Sequence, residues 1–234
     1  MLPQAYVYPA AMRATRDLLR RRLHLVRKRG QLLAHIQNTL HQYNLEPVGK
    51  RIAYPANREG LLEHFPDPVV RQSIAVDLSL LEHYDTLIPE LELSIVRAAK
   101  RHDPDAFHRL RSVPGIGKIL ALTILYEIHD VMRFDRVQQF ASYARLVKCA
   151  HESAGKKLGT GGHKQGNVHL KWAFSESAVT FLRHSMDGKK LLSRLERKHG
   201  KGKALSILAH KIGRAVYYIL ARGTVYSHER FMSA

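Results

Sequence analysis

Apolar positions recur at three- and four-residue spacing along most of this 234-residue chain, so helices are the expected elements. From Arg13 to about Tyr43, Leu19, Leu23, Val26, Leu33, Ile36 and Leu40 form one stripe, interrupted at Gly30. So narrow a stripe resembles a coiled-coil seam more than the broad face of a globular helix. Residues 45–67 hold Pro47, Pro55 and Pro66 and read as a connector. A second helical pattern runs from Val69 to Ala99 on Ile74, Leu78, Leu81, Ile88, Leu91 and Ile95, with Pro89 predicting a kink or a junction of two helices. The simplest arrangement is an antiparallel helical hairpin, each seam buried on the other arm or on a second subunit. Ahead of it, residues 1–12 carry Pro3 and Pro9 and read as an extended lead-in.

After Asp103-Pro104 the period continues in shorter pieces. A helical hairpin is expected at 107–128, then helices near 137–146, 168–184 and 204–222. Val168, Trp172, Val179 and Leu182 mark the buried stripe of the helix at 168–184, and Leu205, Leu208, Ile212, Val216 and Ile219 that of the last. Trp172 reads as core rather than as a stacking platform. Residues 146–150 have the composition of a short strand, and the tail from Thr224 is polar and reads as loose. The fold class is therefore mainly α, a long coiled-coil hairpin followed by a compact helical domain. The expected boundaries are 1–12, 13–101, 105–222 and 223–234.

Charge narrows the function. Thirty-eight Lys and Arg against 20 Asp and Glu give a net charge of +18 and a pI near 10.2, which calls for a polyanionic partner. Eight of the bases, Arg13, Arg16, Arg20, Arg21, Arg22, Arg27, Lys28 and Arg29, share one short segment with a single acid, Asp17. That excess favours contact with a nucleic-acid backbone by Arg13, Arg16, Arg20, Arg21, Arg27 and Lys28 over a merely solvated face. The second arm holds Asp77, Glu82, Asp85, Glu90 and Glu92, so the arms have opposite charges to pair. A lone cysteine, Cys149, excludes an internal disulfide, and no apolar run is long enough to span a bilayer. The expectation is a cytoplasmic protein.

Two stretches have the makings of a site. Pro114-Gly115-Ile116-Gly117 with Lys118 sets a glycine turn before a helix start. Amides and dipole at such a start suit a phosphate, as in a helix-hairpin-helix, although the same turn also occurs inside plain helical cores. The other stretch, His151 to Asn167, is a glycine-rich loop containing Ser153, Lys156, Lys157 and Lys164, without Walker spacing. Ser153 reads either as an ordinary turn serine or as a nucleophile activated by Lys156, Lys157, His151 or His163. No metal-ligand spacing occurs among the histidines, and Glu127, Asp130 and Asp135 read as solvated acids at a helix end.

Three segments, RLRSVPGIGKILALTILYEI, RFDRVQQFASYARLVK and ESAGKKLGTGGHKQGNVHLKWAF, occur in this order. In that order and spacing they resemble the C-terminal half of insertion-sequence-110-type transposases over roughly residues 105–222, and the basic hairpin resembles that family's connector. The resemblance implies a serine nucleophile, which falls on Ser153, with Ala154 standing where many relatives have glycine. It implies DNA and an element-encoded guide RNA as partners and a homo-oligomer. It further implies Mg²⁺ bound by an acidic RNase-H-like half, with no cofactor on the residues present here. The expectation is a C-terminal part lacking that half. The alternative is a non-catalytic helix-hairpin-helix DNA-binding fragment that would regulate intact relatives.

Overall fold

The computed structural model describes residues 6–49, 51–99, 102–153, 156–161 and 166–233, with the backbone alone for 149–153 and 157–161. The expected mainly α fold is what the chain adopts. It divides into two units, Asp17–Ala98 and Met1–Arg16 with Ala99–Ala234.

In the first unit, α1 (Ala10–Gln42) and α2 (Pro68–Ala99) run antiparallel. Their direction follows from the ion pairs. Arg22 meets Glu92 at 2.6 Å, Arg29 meets Asp85 at 2.7 Å, and His35 meets Asp77 at 2.5 Å, so partners descend on α2 as numbers rise on α1. The spacing of six to eight residues repeats one face about every two turns. Ile36 and Leu40 of α1 and Ile74 and Leu81 of α2 share a core with Ile52, Leu61 and Phe65. The last three come from residues 43–67, so that segment packs into the hairpin's closed end with two 3-10 turns and is more than a linker. Its Arg58 is buried, donates to the Ile52 carbonyl at 2.9 Å and lies 2.7 Å from Asp85. Asp85 thus joins both helices and the connector.

Pro89 does not divide α2. It sits on an exposed position while Leu81, Ile88 and Ile95 are buried. Packing along that face outweighs the roughly 3 kcal/mol cost of proline in a helix.

Among the described residues the second unit consists of α3 (Pro104–Arg111), α4 (Lys118–Ile128), α5 (Val137–Tyr143), α6 (Val168–His184), α7 (Met186–His199), α8 (Lys201–Arg222) and α9 (His228–Ser233) with one antiparallel pair, β1 (Cys149–Ser153) and β2 (Lys156–Gly161). Every residue of α4 from Ala121 to Ile128 is buried, and α8 packs against α3, α5, α6 and α7.

Several expectations are corrected here. The lead-in ends at Pro9, and Tyr8 is buried, its hydroxyl donating to the Tyr126 carbonyl while Arg16 lies 3.8 Å from its ring. The buried face of α6 is Leu170, Ala173, Phe174, Ser177, Ala178 and Phe181, whereas Val168 and Val179 are 43% and 41% exposed and Trp172 is only half-buried. Small residues let neighbouring backbones close on α6, and a search for large aliphatics selects the wrong side. Helix α7 was not foreseen; Ser185 caps it, accepting from the Gly188 amide at 2.9 Å. The tail from Thr224 is not loose. It forms α9, and Phe231 is 4% exposed against Phe181.

Candidate functional site

Asp103 caps α3, accepting from the Ala106 amide at 2.9 Å, and Pro104 occupies the first turn, where its missing N–H costs nothing. The chain then turns through Val113–Gly117, with the Ile116 amide donating to the Val113 carbonyl at 3.0 Å. The two glycines of this turn differ. Gly115 has φ +86°, and a Cβ there would overlap the backbone of Phe181 and come within 2.9 Å of the Ser177 carbonyl oxygen. Its own carbonyl accepts from the Thr180 hydroxyl at 2.6 Å. The close backbone approach at Gly115 is therefore to α6 of the same unit. Gly117 has ordinary φ, opens to space and begins α4 with no side-chain cap. Gly117 and Lys118 are exposed, while Pro114 is half-buried. Only the Gly117–Lys118 edge of the motif faces outward.

The serine segment is a β-hairpin rather than a loop. Ser153 pairs with Lys156 in the register, Glu152 with Lys157 and His151 with Gly159, and an irregularity at His151/Glu152 leaves Leu158 unmatched. Lys156 is exposed. Ala154, His163 and Lys164 lie outside the described residues, as do the side chains of Ser153 and Lys157.

Both legs of the hairpin are tied at its root. The Asn167 amide donates to the Tyr143 carbonyl at 2.6 Å, and Arg145 Nε donates to the Gly166 carbonyl at 3.1 Å. Gly166, at φ +96°, admits this approach, since a Cβ would stand 2.6 Å from the Tyr143 oxygen. Asn167 accepts from the His169 and Leu170 amides as the cap of α6, and its Nδ2 donates to Glu127 Oε2 at 2.7 Å. Glu127 is thus a buried anchor and not the solvated acid its position suggested. It ends the same helix that begins behind the glycine turn. Eleven residues separate the two ends, about 16 Å at 1.5 Å per residue, so turn and hairpin root lie at opposite ends of α4.

The segment from α3 to α7 also has relatives. Residues 107–193 match the model of the Transposase IS116/IS110/IS902 family. Residues 107–193 thus carry the domain of this transposase family. It is 27% identical over 223 residues to the transposase of insertion sequence element IS1111A from Coxiella burnetii, covering 89% of this chain and 59% of that protein. Against the transposase of insertion sequence element IS1328 from Yersinia enterocolitica it is 28% identical over 155 residues, 63% of this chain and 46% of the relative. The chain spans about half the length of these curated relatives.

The basic residues of α1 fall into two sets. Arg21, Arg27 and Lys28 are exposed, and Arg13 is exposed with one bond at 3.2 Å to the Tyr8 carbonyl. Arg16, Arg20, Arg22 and Arg29 are half-buried, with Arg22 and Arg29 in the ladder to α2 and Arg16 on Tyr8. Burial drives the Tyr8 hydroxyl's pKa far up, with Arg16 opposing. Such arginines hold structure. Among the described residues no three His, Cys, Asp or Glu side chains converge as metal ligands: Asp130 caps a 3-10 turn through the Met132 amide, and Glu127 is engaged by Asn167. No described helix is long and apolar enough to cross a membrane. Asn167 and Glu127 escaped sequence reasoning, although an Asn directly before a helical run is an N-cap signal.

Proposed function

We propose that this chain is the C-terminal part of an insertion-sequence transposase, that it grips DNA through cations left outside its internal ion pairs, and that Ser153 attacks the DNA strand. The observation that carries this reading is that the family match encloses the glycine turn and the whole β1–β2 hairpin with Ser153. In the step itself Ser153 Oγ forms a bond to phosphorus as one P–O bond of the backbone breaks. The departing oxygen takes a proton, and the serine proton passes to a base. The phosphoserine ester keeps the energy of the original diester, so rejoining to another end needs no external energy source. A cation at Lys156, opposite Ser153 in the register, favours the serine alkoxide and the charge that builds at phosphorus. Backbone contact belongs to the exposed set, Arg13, Arg21, Arg27, Lys28, Gly117 and Lys118, with Pro114 and Gly115 shaping the turn that presents the last two. A guide RNA and a second copy of the chain complete the proposed assembly. The part that binds Mg²⁺ is assigned to the longer protein, a reading supported by the lack of three converging His, Cys, Asp or Glu side chains among the described residues.

The test is a labelled element end incubated with Mg²⁺ and the chain joined to the acidic half of a family member, then denatured. A protein–DNA adduct that survives and is abolished by Ser153→Ala supports the reading. An adduct that persists in Ser153→Ala places the nucleophile elsewhere, and binding without any adduct leaves a non-catalytic DNA-binding protein.

A further inference from the structure

A cleft of about 500 Å³ lies between α8 and the segment that ends in α9. Arg214, Arg222 and Arg230 stand exposed at its edge, with Lys211 and His210 half-buried further in. No carboxylate lines it, and among the described residues none of these five groups forms an ion pair. Two of the cations rest on rings instead, the Arg222 guanidinium 4.7 Å from the centre of Tyr218 and the Lys211 ammonium 5.2 Å from that of Phe231. A π face positions a cation without cancelling its charge, so the cleft keeps a field of one sign. Burial, and secondarily Arg214, lowers the pKa of both Lys211 and His210, as expected where positive charges crowd without an anion.

The walls are also ring-bearing and apolar. Ile207, Ile219 and Val225 join Tyr218 and Tyr226, and the last segment is fastened by the Tyr226 amide, which donates to Ser112 Oγ at 2.9 Å. Phosphate alone would leave these walls uncovered. A duplex presents phosphates on a convex face, with its bases stacked inside, and cannot fill a concave cleft of this size. A nucleotide from a single strand offers both groups at once, phosphate for the arginines and a flat base for the rings.

We propose that the α8–α9 cleft is a binding site for one nucleotide of a single-stranded nucleic acid, with Arg214 and Arg230 on its phosphate and Tyr218 against its base. This rests on the proposed role in DNA handling and adds to it a site for an unpaired strand.

The experiment measures affinity for a short single-stranded oligonucleotide and for a duplex of the same sequence, with free AMP as competitor. Wild type is compared with Arg214→Ala/Arg230→Ala and with Tyr218→Leu, which keeps apolar bulk while removing the ring. The arginines are exposed, and an unchanged thermal melt verifies folding. The expected result is a loss of about tenfold or more for the single strand in the double variant, and a smaller loss in Tyr218→Leu. Duplex affinity should change less than about threefold, and AMP should compete on wild type alone. Unchanged single-strand affinity, or equal losses for both nucleic acids, overturns the proposal. If wild type binds neither nucleic acid, the DNA-handling reading itself fails. AMP binding that the double variant loses would then assign the cleft to free nucleotides, and no AMP binding would discard it.

Discussion

The helical hairpin and the helical domain that follows it are each stabilised internally by a different force. In the hairpin, Arg22, Arg29 and Arg58 answer Glu92 and Asp85, and charge sets the pairing of the arms. In the domain, Gly115, Gly166, Ala173 and Ser177 bring backbones close, and the cations of the α8–α9 cleft have no carboxylate among the residues that line it. A net charge of +18 therefore says little by itself about where nucleic acid lies. Half-buried arginines with carboxylate partners are structural, and those without partners remain available.

The largest expected effect tests the domain's dependence on close approach. Gly115→Ala should destabilise it by about 3–5 kcal/mol, combining left-handed strain with overlap on the Phe181 backbone. Gly117→Ala, two residues on, should cost less than about 1 kcal/mol, since its Cβ meets open space. Thermal melts of the pair decide this, and similar losses would remove the distinction between the two glycines. In the hairpin, Asp85→Ala should cost about 2–4 kcal/mol by leaving Arg29 and the buried Arg58 without their shared carboxylate. Denaturant unfolding measures it, and a loss below about 0.5 kcal/mol would mean that charge does not hold the arms. Asn167→Ala should cost about 2–3 kcal/mol, through the lost cap of α6 and the lost bond to Glu127. Hydrogen exchange in β1 and β2 should rise with it, and unchanged exchange would separate the hairpin from its anchor.

The smallest effect concerns pH. His210 has its pKa depressed by burial and by Arg214, so below about 6.5 the unfolded chain takes up the proton first. Stability should fall as pH drops through that region, and His210→Gln should flatten the slope. An unaltered slope would place the histidine in a less crowded field than the cleft implies.

The sequence made long helices legible, because Ile36, Leu40, Ile74 and Leu81 are large, periodic and buried. It also made the opposite charges of α1 and α2 visible. The buried face of α6 was illegible for a physical reason: Ala173, Ser177 and Ala178 pack by being small, while the conspicuous Val168 and Val179 face out. Of the two readings of Pro89, the junction of two helices fails, because packing along α2 outweighs the local penalty. At the candidate site the turn and Ser153 were found from their motifs. Glu127 was not, since nothing local indicates that a helix-end acid is buried under an Asn forty residues later. The α8–α9 cleft was hidden for the same reason, being made by Phe231 folding a polar tail back onto the domain.

The most direct test of the distinction between paired and open cations removes two charges at a time from α1. Arg21→Gln/Lys28→Gln takes exposed cations, and Arg22→Gln/Arg29→Gln takes ion-paired ones from neighbouring positions. For each, the salt dependence of DNA affinity is measured beside the melting temperature. The exposed pair should lower the slope of log affinity against log salt by about 1–2 and leave the melt unchanged. The ion-paired double variant should lower the melt and leave the slope as in wild type. The reverse pattern, with the ladder arginines setting the slope, would contradict the account.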